Sequence, residues 1–407
     1  MPKKEFSFPF LIIKTEKGVS LLDSLSRTWI AKKTGWLFVI FLPMLAAITL
    51  YFTISSIINI ISNPIVGQVI RELGPAINLP WPGINPYLPI VYGWIALFVG
   101  MVVHEVAHGV QARVAGVPVK FVGIILLVFL PIGAFVELDD KELEKSGLKK
   151  SAKALAAGPG TNFVSALASL ILLLLIISSL HPIADGVLIT QMNMEGPAYK
   201  SGIMPGDIIT SVNGQNVSTI ESFIEAVEPY YRPGHNLTLT VLRQDKILNF
   251  TFTLAANPEN SSRGYMGIHG YLSLREVLEN YYSAVYKFPS RDVMVYMLIP
   301  TLPWASTSIP FSETLYKYYI STTFLGSNYH YFVNLLYWTW FLNFNLAIFN
   351  ALPIYPLDGG IVFKFLCKRI FGEKLSEKWI NLIVYTLTLI LAGLIILMIV
   401  APYIFAK

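Results

Sequence analysis

The stretch that decides the fold runs from Leu88 to Arg113: LPIVYGWIALFVGMVVHEVAHGVQAR. It opens with an unbroken apolar run suited to a helix in lipid, then interrupts that run with His104-Glu105-Val106-Ala107-His108-Gly109. On a helix, residues four apart share a face one turn up, so both imidazoles can grip a single metal ion. Glu105 stands between them, placed to work on a water held there. Ionisable groups inside a hydrophobic span are costly and by default mark function. Chance would give His-Glu-x-x-His in about one chain in three hundred of this composition, so the motif needs a context.

Composition supplies part of that context. The 407 residues are 54% hydrophobic and 14% charged, with a mean hydropathy of +0.58. A soluble protein carries about 25% charged residues, so an integral membrane protein is expected. The net charge of +5 does not argue for nucleic acid, because the positive residues gather in short loops beside apolar segments. The single cysteine, Cys367, excludes an internal disulfide and a Cys-based zinc knuckle, and reads as a small residue in a basic loop. No cleavable signal peptide is expected. Residues 1–34 read as a cytoplasmic, partly amphipathic lead-in able to lie on the bilayer surface.

Five segments are long and apolar enough to cross, given the roughly 20 residues a spanning helix needs. They are Gly35–Ile61, Leu88–Arg113, Ala152–Leu180, Tyr331–Leu352 and Trp379–Phe405. Phe121–Val136 is ambiguous: short, broken by Pro131 and Gly133, rich in β-formers, and followed by Glu137, Asp139 and Asp140. Charge placement resolves it. Lysines and arginines number seven in the N-terminal region, seven in Arg113–Lys153 and five in Lys364–Lys378, whereas 62–87 holds only Arg71. With the three basic regions in the cytoplasm, the second span runs inward and carries His104 and His108 toward its inner end. Phe121–Val136 then dips in and returns as a hairpin, its backbone covered by other protein. Residues 181–330 lie outside, and the protein is a multi-pass component of the cell membrane.

The outer region opens with a module over residues 185–271. It alternates like strands at Gly186–Thr190 and Leu237–Val241, with turn signals at Asn213-Gly214 and Pro233-Gly234. Four Asn-x-Ser/Thr sequons, at Asn216, Asn236, Asn249 and Asn260, fall within it. GPAYKSGIMPGDIITSVNGQNV (Gly196–Val217), the helix-like Ile220–Val227 and the loop Gly264–Ile268 together resemble a PDZ domain of membrane and envelope proteases. Such domains add a peptide strand to a sheet edge; a spacer or size filter is the plainer alternative. Residues 272–330 are aromatic-rich, irregular and expected at the membrane surface.

A catalytic zinc usually takes three protein ligands and a water. His181, His235, His269 and His330 all fall in the outer region, so a carboxylate at matching depth is sought instead. The last inward helix ends in NALPIYPLDGG (Asn350–Gly360), where Asp358 is the one acidic residue. Pro353 and Pro356 break the helix there, and Gly359 and Gly360 permit close backbone approach or positive φ.

The pairing of HEVAHG with NALPIYPLDGG resembles the site-2 protease family of intramembrane zinc metalloproteases. GAFVELDD (Gly133–Asp140) is similar to that family's membrane-dipping hairpin, AGPGTNF (Ala157–Phe163) opens the next helix, and an inserted outer PDZ domain is a family arrangement. The resemblance covers residues 88 to 370. It implies that His104, His108 and Asp358 bind one zinc ion and that Glu105 is the acid/base in hydrolysis of transmembrane substrates. The expected fold is a polytopic α-helical membrane protein of about five transmembrane helices and a membrane-dipping β-hairpin, with an extracytoplasmic PDZ domain. Membrane domains at 35–180 and 331–407 flank the PDZ domain (185–271) and a surface segment (272–330). The expected partners are membrane-protein substrates, a peptide at the PDZ domain and the lipid bilayer.

Plainer roles stand beside these. Asn350 is either helix–helix glue or a donor to a developing oxyanion. Asn162 reads as structural, and Glu137 as a solvated charge at the membrane surface. A divalent-metal transporter would want further acidic or histidine residues along a path, and an inactive PDZ-bearing adaptor would have lost Glu105 or a ligand. Neither pattern is present.

Overall fold

The structure, a computed structural model, describes residues 3–128, 130–138, 140–283, 297, 299–302 and 304–405. Two compact units emerge, Met1–Ile171 with Leu335–Lys407 and, inserted between them, Leu172–Asn334. Asp139 and most of 284–298, within the expected surface segment, lie outside the described residues.

The first unit begins with strands β1 (Lys3–Ser7) and β2 (Phe10–Thr15) and helix α1 (Lys17–Ser26). Helix α2 (Trp29–Ser62) follows, its first turn capped by Thr28, whose hydroxyl accepts the Ala31 N–H at 3.3 Å. Asn63 and Pro64 then start α3 (Pro64–Leu73), Pro64 filling a first-turn position where no N–H is needed. Helix α4 (Ile90–Ala115) ends at Gly116, whose φ of +79° closes it in a left-handed cap. Strands β3 (Val119–Leu127) and β4 (Leu130–Leu138) form the antiparallel hairpin expected over Phe121–Val136. Short α5 (Asp140–Lys145) leads into α6 (Leu148–Ile177).

The sheet order is β1-β2-β3-β4, with Phe10 opposite Leu127 and Thr15 opposite Val122. The amino-terminal lead-in, read as a surface-lying segment, thus supplies two strands. Phe10–Thr15 is FLIIKT, rich in β-formers, but its partner lies over a hundred residues away, beyond the reach of a local pattern.

The inserted unit is α/β. It comprises β5 (Leu180–Pro182), β6 (Val187–Met192), α7 (Pro197–Lys200), β7 (Ile208–Val212), β8 (Gln215–Asn216) and α8 (Ile220–Val227). These continue into β9 (Asn236–Arg243), β10 (Lys246–Thr253), β11 (Ala255–Ala256), β12 (Gly264–Tyr265), β13 (Ile268–Ser273), α9 (Leu274–Ser283) and β14 (Tyr319–Ser321). The main sheet runs β10-β9-β7-β6-β13, with β8 against β7. Alternate residues of its strands, among them Val187, Ile189, Leu237, Leu239 and Val241, meet Phe223 of α8 in a closed core. A reciprocal capping box between Thr219 and Ser222 fixes where α8 starts. Asp207, 1% exposed at its side chain, takes both Nε and Nη2 of Arg243 at 2.6 and 2.7 Å. That hydrogen-bonded carboxylate holds the guanidinium pKa above its ordinary value.

The chain then returns to the first unit through α10 (Tyr329–Asn350), α11 (Asp358–Phe371) and α12 (Glu377–Phe405). Thr49 of α2 donates its hydroxyl to the Ile348 carbonyl of α10 at 2.8 Å, a buried crosslink. Cys367, expected in a basic loop, is buried within α11, because the chain resumes a helix after Pro356.

Among the described residues, α2, α4, α6, α10 and α12 are long and apolar enough to cross a membrane. Ile40, Tyr51 and Ile58 on α2 and Leu389, Ile390 and Ile396 on α12 point outward, fully half or more exposed. Lipid tails cover such faces at no cost. The chain is a polytopic α-helical membrane protein with an added α/β unit.

Candidate metal centre

Helix α4 carries His104 and His108 on one face, as their spacing requires, and the two rings meet edge to face with centroids 4.7 Å apart. Their Nε2 atoms are 3.1 Å from each other. Asp358, the first residue of α11, places Oδ2 at 3.1 Å from His104 Nε2 and 3.3 Å from His108 Nε2. The chain achieves this by folding α11 back on the end of α10. A Cβ at Gly359 would collide with the Ala351 carbonyl, and one at Gly360 with Ile354. Close approach, not positive φ, is therefore what these glycines provide.

Three observations test whether the trio suits a cation. His108 Nδ1 lies 2.7 Å from the Ala154 carbonyl. A carbonyl only accepts, so that nitrogen carries the proton, and the other nitrogen, Nε2, is the one that faces the cluster and can ligate when the ring is neutral. Asp358 Oδ2 is buried and, although close to both rings, makes no hydrogen bond. A desolvated carboxylate oxygen left so is costly unless a charge answers it. Finally, donors about 2.0–2.1 Å from a tetrahedral zinc sit about 3.3 Å apart, close to the three separations found. A His104/His108/Asp358 cluster of this size is geometrically consistent with a single zinc site.

Helix α6 lines the cluster with a gap. A Cβ on Gly158 would stand 2.6 Å from His104 Nε2 and closer still to His108 Nε2, so any other residue would fill the space between the rings. In the sequence Gly158 is marked only by its place in AGPGTNF. Its spacing of four from Ala154 and from Asn162 was the signal that α6 presents one face to the histidines.

A cavity of about 680 Å³ opens at the centre, lined by Glu105, Val136, Glu144, Asn350, Asp358 and Lys364 among others. Glu105 Oε2 accepts the Val136 N–H of β4 at 2.9 Å. Asn350 borders the cavity while its amide donates to the Leu346 carbonyl at 3.0 Å, one turn back on its own helix. Glu137, expected as a solvated charge, also lines the cavity, 3.9 Å from Lys14. Among the described residues this trio is the one group of histidine, cysteine or acidic side chains gathered tightly enough for a metal.

Comparison with known proteins agrees with this chemistry. The family model "Peptidase family M50" matches residues 92–394, well over half of the chain. The uncharacterized protein MJ0971 of Methanocaldococcus jannaschii is 29% identical over 376 residues, covering 92% of this chain and 81% of that protein. The putative zinc metalloprotease all3971 of Nostoc sp. is 25% identical over 340 residues, 75% of this chain and 93% of its own length. The regulator of sigma-W protease RasP of Bacillus subtilis is 28% identical over 232 residues, 56% of this chain; the match spans about half, 52%, of RasP.

Proposed function

The chain belongs to peptidase family M50 and is a metalloendopeptidase, and from that premise we propose that it cleaves transmembrane segments of membrane proteins. His104, His108 and Asp358 hold one zinc ion, and Glu105 is the general acid and base. The observation that carries this is the triangle of three ligand atoms 3.1–3.3 Å on a side, with Glu105 beside it in the same cavity. Zinc bound there supplies Lewis acidity and lowers the pKa of water toward neutrality.

The chain's own residues do the rest. Glu105 takes a proton from the attacking water and delivers it to the leaving amine, both within reach of one carboxylate. Asn350, at the cavity wall, has an amide hydrogen beyond the one given to Leu346, available to a developing oxyanion. A helical substrate shields its peptide bonds in its own hydrogen-bond ladder, so it must unwind locally. Strand β4 ends the four-stranded sheet, and its Val136, Glu137 and Leu138 line the cavity, which suits a substrate held as an added strand.

The inserted unit is a PDZ domain, over about residues 185–271, on the cell's outer side. Support comes from its sheet order, from α8 occupying the expected Ile220–Val227, and from the loop ahead of the edge strand β13, where Gly267 has φ +87°. The charge asymmetry of the loops supports the orientation. There the domain admits substrates whose outer portion is already trimmed, or captures a peptide strand along β13.

The test is Glu105→Gln in the full chain, purified in detergent, with zinc content and cleavage of a model transmembrane substrate measured together. Cleavage should fall at least about a hundredfold while one zinc per chain remains. Undiminished cleavage would refute the assignment.

A further inference from the structure

The orientation of His104 poses a chemical problem that its neighbour on α6 can solve. Asn162 is wholly buried, with its Nδ2 at 3.2 Å from His104 Nδ1 and its Oδ1 lacking any hydrogen-bond partner. With the amide donating, Nδ1 must be the accepting nitrogen of a neutral ring. The proton then sits on Nε2, which faces His108 and Asp358 and cannot at once ligate a cation. A half-turn of the carboxamide reverses this. The orphaned oxygen then accepts an N–H from Nδ1, and the Nε2 lone pair is freed toward the cluster.

The four asparagines of α10 behave differently. Asn334, Asn343, Asn345 and Asn350 each donate Nδ2 to the carbonyl four residues back, the ordinary way a spanning helix absorbs an amide. Asn162 spends its amide on a histidine. It also completes a pattern on α6 at intervals of four: the Ala154 carbonyl orients His108, Gly158 leaves room between the rings, and Asn162 meets His104.

We propose that Asn162 is a positioning residue for the metal: its carboxamide oxygen accepts the Nδ1–H of His104 and fixes the ring in the tautomer whose Nε2 faces the cation. This rests on His104, His108 and Asp358 being the ligands. Partners of this kind on ligating imidazoles govern affinity about 10–100-fold.

The experiment compares the full-length wild type with Asn162→Leu, Asn162→Ala and Asn162→Asp in detergent. It measures zinc affinity by chelator competition and thermal unfolding of each metal-stripped protein. Leu and Ala remove the acceptor, so affinity should drop about 10–100-fold. Asp can accept but not donate, and a carboxylate partner raises the basicity of a ligating imidazole, so it should bind at least as tightly as wild type. The metal-stripped proteins should unfold alike. Wild-type affinity in the Leu and Ala variants would overturn the proposal. So would an Asp variant as weakened as Leu, which would assign the residue to packing or donation. Failure of the wild type to bind one zinc would instead defeat the ligand assignment itself, and this proposal with it.

Discussion

Glu105 and Val136 are joined by a hydrogen bond from a strand's backbone N–H to a side-chain carboxylate, 2.9 Å long. Under the role proposed for Glu105, its consequence is that the cavity-facing edge of β4, the edge proposed to hold substrate, also orients the acid/base. The N–H faces away from β3, so it belongs to the edge and not to the ladder. Hydrogen bonds to a charged group are worth about 1.5–3 kcal/mol, enough to hold one carboxylate rotamer against its alternatives.

Val136→Pro deletes that N–H and leaves the β3–β4 ladder its remaining bonds, since edge positions tolerate proline. We expect the rate of substrate cleavage to fall about tenfold or more, with zinc content unchanged. Cleavage at the wild-type rate would show that the bond does not orient Glu105.

Gly158→Ala should act on the metal before anything else. The new methyl occupies the gap between the two Nε2 atoms, so bound zinc measured by elemental analysis should drop well below one per chain. A variant that retained full zinc would place the cation elsewhere.

Asp358→Asn separates charge from shape. The amide keeps the size of the carboxylate and gives up the charge that answers a cation, so its effect should appear in metal binding. In the wild type, zinc at a hundred times its dissociation constant stabilises by about 2.7 kcal/mol. The variant should lose that increment in a thermal melt with and without added zinc.

In the inserted unit, Arg243→Leu leaves Asp207 buried without its guanidinium. Asp207 keeps the Met204 N–H at 2.9 Å, so losing the part-buried guanidinium costs about 1–3 kcal/mol. Amide exchange in β7 and β9 of the full chain should accelerate accordingly, while zinc content stays constant. Exchange at the wild-type rate would show that the pair does not support this sheet.

What could be read in advance follows the range of the forces involved. The five long helices lie close to their expected positions, the largest offset being the start of α2 at Trp29 and not Gly35, because sustained apolar runs need no partner to be recognised. Helix α8 occupies the expected Ile220–Val227, where Thr219 and Ser222 mark the start locally. The meeting of Asp358 with the histidines is legible from helix direction, the scarcity of acidic residues and the resemblance of NALPIYPLDGG to a family motif. Other features were hidden because they depend on remote chain. Strands β1 and β2 find their sheet through β3, and α11 gathers Cys367 into its packed face. Glu137 turns toward a cavity that its own neighbours do not predict. The role of Gly158 appears only when two imidazoles from another helix are set against it.

The position of β2 also bears on how this protein can be handled. A version trimmed to begin at residue 16 would keep every long helix and every ligand, yet strip β3 of its neighbour. An uncovered strand recruits whatever segment it meets, so the trimmed enzyme should clump or distort the hairpin that steadies its carboxylate. Fusion partners and affinity handles therefore belong on the α12 side, where no strand pairs among the described residues.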